Sequence, residues 1–166
     1  MKPKIGIIGA GVMGKGVAER FANYGYQVII LDNDDKVASK VISDITRSIK
    51  MKKMFDKTLN EDDIIANIKV ARDYSDFKMV DFIVENIVEQ EEAKKSVYKQ
   101  VDEVVAGNCI YLANTSCIPI TRLGSYTKRS DKVIGVHFMN PVPVKNFAEV
   151  ILGCQTSKDT QEKVFE

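Results

Sequence analysis

The chain has 166 residues, 45% of them hydrophobic and 28% charged, the balance of a globular domain with one proper core. A net charge of +1 offers no global attraction to nucleic acid or an anionic membrane, and no apolar run nears the ~20 residues that span a bilayer. Three cysteines, Cys109, Cys117 and Cys154, have neither metal nor redox spacing, so no metal is expected. Met1-Lys2-Pro3-Lys4 leads straight into a strand without a signal peptide, which makes the cytoplasm the expected compartment.

Lys4 to Ile8 is a short, nearly continuous apolar run, the pattern of a strand covered on both faces. From Val12 to Tyr24, Met13, Val17 and Phe21 recur every fourth residue beside Ala18 and Ala22, which predicts a helix stopped by Gly25. Gln27 to Leu31 is the second strand, closed by Asp32. Asp34 then caps one long helix whose buried stripe is Val37, Val41, Ile45 and Ile49. Its far end is basic, with Arg47, Lys50, Lys52 and Lys53, and Lys57 beyond. A short helical segment starts at Asn60, and strands follow at Ile68 to Ala71 and Val80 to Val84. Glu89 to Ala106 reads as a helix with Val97, Val101, Val104 and Val105 inward. Cys109 to Ala113, Lys132 to Val136 and Phe147 to Leu152 are three more strands. Thr156-Ser157-Lys158-Asp159 caps a further helix. There are no internal repeats. The alternation predicts an α/β fold, a doubly wound, mainly parallel sheet with helices on both faces.

Gly9-Ala10-Gly11-Val12-Met13-Gly14 follows a strand and opens a helix, with an acid ending the next strand, the context that a dinucleotide-binding turn requires. Gly9 would permit the bend, Gly11 the approach of a pyrophosphate, and Gly14 close packing of helix on strand. Val12 and Met13 would bring free N–H groups of the helix start to the phosphates. Asp32 would accept both adenosine ribose hydroxyls and repel a 2′-phosphate, favouring NAD over NADP. The alternative is an ordinary strand–helix turn followed by a loop acid.

His137 is the only histidine, just past a strand-like stretch. Removing hydride from a secondary alcohol needs a base for the hydroxyl proton, and an imidazole with an ordinary pKa near ~6.5 suits that task. A carboxylate on its second nitrogen would fix the tautomer. Glu149, among Phe147, Ala148, Val150 and Ile151, is expected to be partly buried and so to need a partner. Ser116 could hold the substrate oxygen, and Asn140 could donate to a carbonyl or to the nicotinamide amide. The plainer alternatives are a structural histidine, and a serine that caps the turn starting at Pro119 and Ile120.

These residues together resemble the 3-hydroxyacyl-CoA dehydrogenase family in its N-terminal NAD-binding domain. The motifs run from Lys4 to about Thr156: the glycine turn, Asp81-Phe82-Ile83-Val84-Glu85-Asn86, Asn114-Thr115-Ser116, His137-Phe138-Met139-Asn140-Pro141 and Glu149-Val150-Ile151. The resemblance implies an NAD-dependent oxidoreductase of fatty acid metabolism that interconverts 3-hydroxyacyl-CoA and 3-ketoacyl-CoA. His137 is then the general base, Glu149 its orienter, and Ser116 a contact of both substrate and cofactor. Glu89, Lys94 and Asn140 match further cofactor contacts. Ser48, Lys52 and Lys53 fall where the family grips coenzyme A phosphates, although Lys50, Lys52 and Lys53 also read as a solvated helix end favoured by the macrodipole.

Cys117 departs from the family, which commonly has a second serine there. The family's helical domain is not among these residues. Residues 1–155 are thus expected to form the NAD-binding domain and 156–166 the start of a helix leading to that second domain, which would complete the acyl pocket and a homodimer. Alone, the chain is expected to bind NAD and to turn over weakly or not at all. Alternative readings are the same chemistry on an acyl carrier protein thioester, a 3-hydroxyacid dehydrogenase of the 6-phosphogluconate type, and a non-catalytic NAD-binding module.

Overall fold

The first strand, β1 (Lys4–Ile8), lies at the centre of the fold because its alternate residues are apolar in both directions. The computed structural model describes residues 2–166, and Met1 lies outside them. After β1 come α1 (Val12–Asn23), β2 (Gln27–Leu31), α2 (Asp35–Ala38), α3 (Val41–Lys53), α4 (Glu61–Ala66) and β3 (Ile68–Val70). The second half contains β4 (Phe82–Glu85), α5 (Glu91–Asp102), β5 (Ile110–Ala113), α6 (Ile120–Gly124), β6 (Val133–Phe138), β7 (Ala148–Leu152) and α7 (Lys158–Phe165).

The strands form one seven-stranded sheet in the order β3-β2-β1-β4-β5-β6-β7. All neighbours are parallel except β6 and β7, which run antiparallel. Ile5 and Ile7 join α1, α3 and α4 residues Val17, Val41, Ile45 and Ile64 in a core on one face. Ile8, Ile83 and Tyr111 join Tyr98, Val101 and Leu123 of α5 and α6 on the other. The expected α/β architecture with both faces covered is therefore present, and burial of such aliphatic side chains, worth about 1.5–3 kcal/mol each, holds the layers together. No helix among the described residues is long and apolar enough to cross a membrane.

Reversal of the strand order between β1 and β4 opens a crevice at their C-terminal ends, the general ligand position in such sheets. The Asn86 amide after β4 donates to Ile8 O (2.8 Å), so the two strand ends are tied together where the crevice begins.

Three expectations need correction. The long helix after Asp34 is two helices, α2 and α3, broken at Ser39 and Lys40. Ser39 and Ser43 hydroxyls donate to Lys36 O (3.2 Å) and Lys40 O (2.9 Å), local bonds that compete with the helical ladder. The helix expected over Glu89 to Ala106 is confined to Glu91–Asp102, with extended backbone at Gln90, so Glu89 stands outside it on a loop. Finally, β6 continues through Phe138 because β7 pairs with it there, which puts His137 inside a strand rather than beyond one.

Candidate active site

At the glycine turn Gly9 has φ +93°, a conformation that L side chains rarely adopt, and a Cβ there would lie 2.6 Å from Asn86 O. A Cβ on Gly14 would lie 1.8 Å from Gly9 O, so only glycine lets α1 pack so close to the turn. Gly11 is the opposite case, since nothing lies within 4 Å of its Cβ position and the backbone there faces open space. No side chain caps α1 and no carboxylate sits in its first turn. The N–H groups of Val12 and Met13 are thus left to an incoming anion, which fits a pyrophosphate.

Asp32 is tied to this turn. Its Oδ2 accepts from the Ala10 amide (2.6 Å) and its Oδ1 from the Asp34 amide (2.9 Å). The carboxylate is held at the end of β2, at the mouth of the crevice, and it also braces the turn.

Ser116, His137 and Glu149 form a line. Pairing of β6 with β7 sets His137 directly opposite Glu149, and Nδ1 lies 2.8 Å from Glu149 Oε2. On the far side of the ring, Nε2 lies 3.2 Å from Ser116 Oγ. A carboxylate at Nδ1 requires the proton on that nitrogen, which leaves Nε2 as the acceptor facing Ser116. Glu149 itself is not partly buried as expected: its side chain is 52% exposed. The reason is that β7 is an edge strand, and its apolar neighbours Phe147, Ile151 and Leu152 are exposed with it.

Ser116 is also not the cap of α6. Pro119 occupies that position without a side-chain bond, while Thr115 Oγ1 accepts the Ile118 amide (3.0 Å). Ser116 is therefore free to face the histidine. Asn140 is exposed in the loop after β6.

Glu89 gathers the 115–117 loop through a single oxygen. Its Oε1 accepts from the Thr115 hydroxyl, the Ser116 amide (3.0 Å) and the Cys117 amide (3.3 Å). Partial burial works against the Glu89 carboxylate, but the Thr115 hydroxyl and the Lys94 ammonium outweigh it and bring its pKa to about 2. The Cys117 thiol lies 3.5 Å from the same oxygen, and that hydrogen bond pushes its pKa up. The thiol thus stays protonated and donates to the same carboxylate oxygen. Lys94 lies fully buried behind Glu89, against Glu85, Glu89 and the Asn114 carbonyl.

On α3, Lys52 pairs with the buried Glu19 of α1, Ser48 is half-buried, and Lys53 is exposed. These residues do not touch the Ser116–His137–Glu149 line.

The sequence reading missed Glu85, Thr115 and the Asn86–Asn114 pair as parts of the site. Asn114 Nδ2 donates to Asn86 Oδ1 (2.7 Å), and Asn114 Oδ1 accepts from the Phe138 amide (3.3 Å), so this pair links the glycine turn to the strand carrying His137. The available signal was Glu85, a carboxylate closing an otherwise apolar strand just as Asp32 follows β2.

Fold and site define a dinucleotide-binding α/β domain with a hydrogen-bonded imidazole and carboxylate at the edge of the crevice. The model of the 3-hydroxyacyl-CoA dehydrogenase NAD-binding domain matches residues 4–166, and the chain belongs to that family. The cofactor of this domain is NAD. The chain is 38% identical to a 3-hydroxybutyryl-CoA dehydrogenase of Clostridioides difficile, over 98% of itself and 59% of that protein. It is 33% identical to the human mitochondrial hydroxyacyl-coenzyme A dehydrogenase, over 96% of itself and 54% of that protein. The crystal structure of (S)-3-hydroxybutyryl-CoA dehydrogenase from Ralstonia eutropha superposes with a TM-score of 0.94 at 36% identity, covering 99% of this chain and 59% of that one. The chain thus spans little more than half the length of these relatives. Their names speak of coenzyme A thioesters, and the carrier-protein alternative draws no support from them.

Proposed function

We propose that this domain carries the cofactor site and the base of an NAD-dependent 3-hydroxyacyl-CoA dehydrogenase, acting in either direction. The observation that carries the reading is the line Glu149 Oε2, His137 Nδ1 and Nε2, Ser116 Oγ, at 2.8 and 3.2 Å. In oxidation, bound NAD would supply the hydride acceptor for the carbinol carbon. His137 Nε2 takes the hydroxyl proton as the C–O bond becomes a carbonyl, and Glu149 stabilises the imidazolium that results. Ser116 Oγ holds the substrate oxygen beside Nε2, and the glycine turn with the start of α1 holds the pyrophosphate. Glu89 and Asn140 border the nicotinamide end, and Asp32 takes the adenosine ribose and disfavours a 2′-phosphate. Ser48, Lys52 and Lys53 are proposed for the coenzyme A phosphates. Residues 156–166 are proposed to lead to a second domain, and a homodimer belongs to that longer protein.

The test is oxidation of NADH by acetoacetyl-CoA, with wild-type and His137→Gln proteins at the full length their gene encodes. Turnover that vanishes with the imidazole supports the reading. Equal turnover in the variant would remove His137 as the base.

A further inference from the structure

We propose that Lys94 is a positioning residue for the Ser116 loop: rooted on Glu85, it aims the Glu89 carboxylate that holds Ser116 against His137. This rests on the reading that Ser116 and His137 handle the substrate oxygen. It assigns to Lys94 a task other than touching the cofactor.

The argument starts from burial. Lys94 is fully buried, as is Glu85, the last residue of β4. A lone ammonium there would give up its charge, because desolvation disfavours the ionised form. Lys94 Nζ instead lies 2.8 and 2.7 Å from the two Glu85 oxygens, 3.2 Å from Asn114 O and 3.2 Å from Glu89 Oε2. Glu85 in turn is fixed on the sheet, between Ile8 of β1 and Ala113 of β5. The ammonium is therefore anchored to the most rigid part of the molecule.

Glu89 has no such anchor of its own. It sits on the loop before α5, where a glutamate side chain has several rotamers open to it. Lys94 holds Oε2, and this turns Oε1 toward the 115–117 loop. There four donors converge: the Thr115 hydroxyl, the amides of Ser116 and Cys117, and the Cys117 thiol. The Lys94 ammonium is shared between Glu85 and Glu89 Oε2, and the four donors meet the other Glu89 oxygen. With the Ser116 backbone fixed in this way, its hydroxyl lies 3.2 Å from Nε2. A misplacement of such a group by about 1 Å can cost on the order of 100-fold in rate.

Direct cofactor contact by Lys94 and positioning by Lys94 predict different results. The test uses the full-length protein and two variants. Glu89→Gln leaves the buried Glu85–Lys94 pair intact, so its fold is not at risk from an unpaired charge. The double variant Glu85→Gln/Lys94→Met removes both buried charges together and leaves Glu89 in place. Amide hydrogen exchange by NMR reads the loop, NADH fluorescence titration reads cofactor affinity, and acetoacetyl-CoA reduction gives kcat and KM.

In both variants the protection of the Ser116 and Cys117 amides is expected to fall at least tenfold, while Tyr111 and Leu112 in β5 stay protected. In the double variant kcat is expected to fall at least tenfold, with the NADH Kd changed less than threefold. Unchanged protection at Ser116 and Cys117 would overturn the proposal. So would lost protection with unchanged kcat, or intact protection with a tenfold weaker NADH Kd, which would return Lys94 to the cofactor. If the wild-type protein reduces no 3-ketoacyl-CoA, the functional reading fails instead, and the exchange data still show whether Lys94 holds the loop.

Discussion

His137 and Glu149 face each other across the one antiparallel strand pair of the sheet, and their side chains meet at 2.8 Å. The pairing register therefore builds the dyad, and the backbone of β7 acts as its holder. Because Glu149 is half exposed, its bond to Nδ1 competes with water. Its task is then tautomer and orientation more than energy.

His137→Gln in the full-length protein is expected to lower kcat by about 100-fold or more, the usual scale for losing a general base. Glu149→Gln is expected to lower kcat as well, chiefly because an amide can donate to Nδ1 and so no longer fixes the tautomer that leaves Nε2 as acceptor. Both variants should bind NADH like wild type, since neither residue lies in the glycine turn. Stopped-flow turnover with parallel NADH titration checks this, and wild-type turnover in either variant would refute the dyad.

Asp32 braces the glycine turn and is the proposed ribose acceptor, and substitution can separate the two. Asp32→Ala removes the proposed ribose acceptor and also leaves the Ala10 amide without its partner at 2.6 Å. Loss of a charge-assisted bond of this kind costs about 1.5–3 kcal/mol. NAD affinity is thus expected to fall together with the melting temperature. Asp32→Asn keeps one oxygen to accept from the Ala10 amide and gives up the bond to the exposed Asp34 amide, and should retain most of the stability while narrowing the preference for NAD over NADP. Calorimetric titration with both cofactors and thermal melts decide it. Equal binding of NAD and NADP by the wild-type protein would show that Asp32 does not discriminate.

The glycine turn, Asp32 and the residues of the dyad were legible in the sequence because local spacing carries them. Gly9, Gly11 and Gly14 lie in one turn, and His137 is the only histidine. What stayed hidden depends on tertiary pairing. Nothing local says that Lys94 of α5 reaches Glu85 of β4, or that Glu89 reaches across to Thr115. The exposure of Glu149 was misread for a related reason. Apolar neighbours describe a strand without saying whether it lies inside the sheet or at its edge.

Acid should release the Ser116 loop only at low pH. The Glu89 pKa lies at about 2 in the folded protein, against an ordinary value of 4.5. A depressed carboxylate pKa adds stability that is fully present above about 4.5 and is lost as pH falls toward about 2. Carbon-13 NMR of the Glu89 carboxyl is expected to titrate well below the exposed glutamates, with the Ser116 and Cys117 amide shifts following it. A midpoint near 4.5, or amide shifts that ignore it, would mean that Glu89 does not hold the loop as described.

Lys52 and Lys53 are neighbours in sequence with different surroundings, and this separates binding from folding in the proposed coenzyme A site. Lys52 pairs with Glu19, whose side chain is almost completely buried on α1, so Lys52→Ala strands a carboxylate between α1 and α3. Breaking a buried pair from one side costs about 3–5 kcal/mol, and the partial exposure of Lys52 puts this case at or below the low end. Lys53 is exposed and has no ion-pair partner among the described residues. Lys53→Ala is accordingly expected to leave the melting temperature within error and to raise KM for acetoacetyl-CoA several-fold at low salt, where phosphate attraction is least screened. KM for acetoacetyl-pantetheine, which lacks the nucleotide phosphates, should not move. Lys52→Ala should lower the melting temperature first, and Glu19→Gln/Lys52→Met should recover most of that loss, because it removes both charges together. If Lys53→Ala raises KM equally for both substrates, the basic end of α3 does not read the phosphates. If Lys52→Ala melts like wild type, its pairing with Glu19 contributes nothing measurable, and Lys52 is free to serve the ligand.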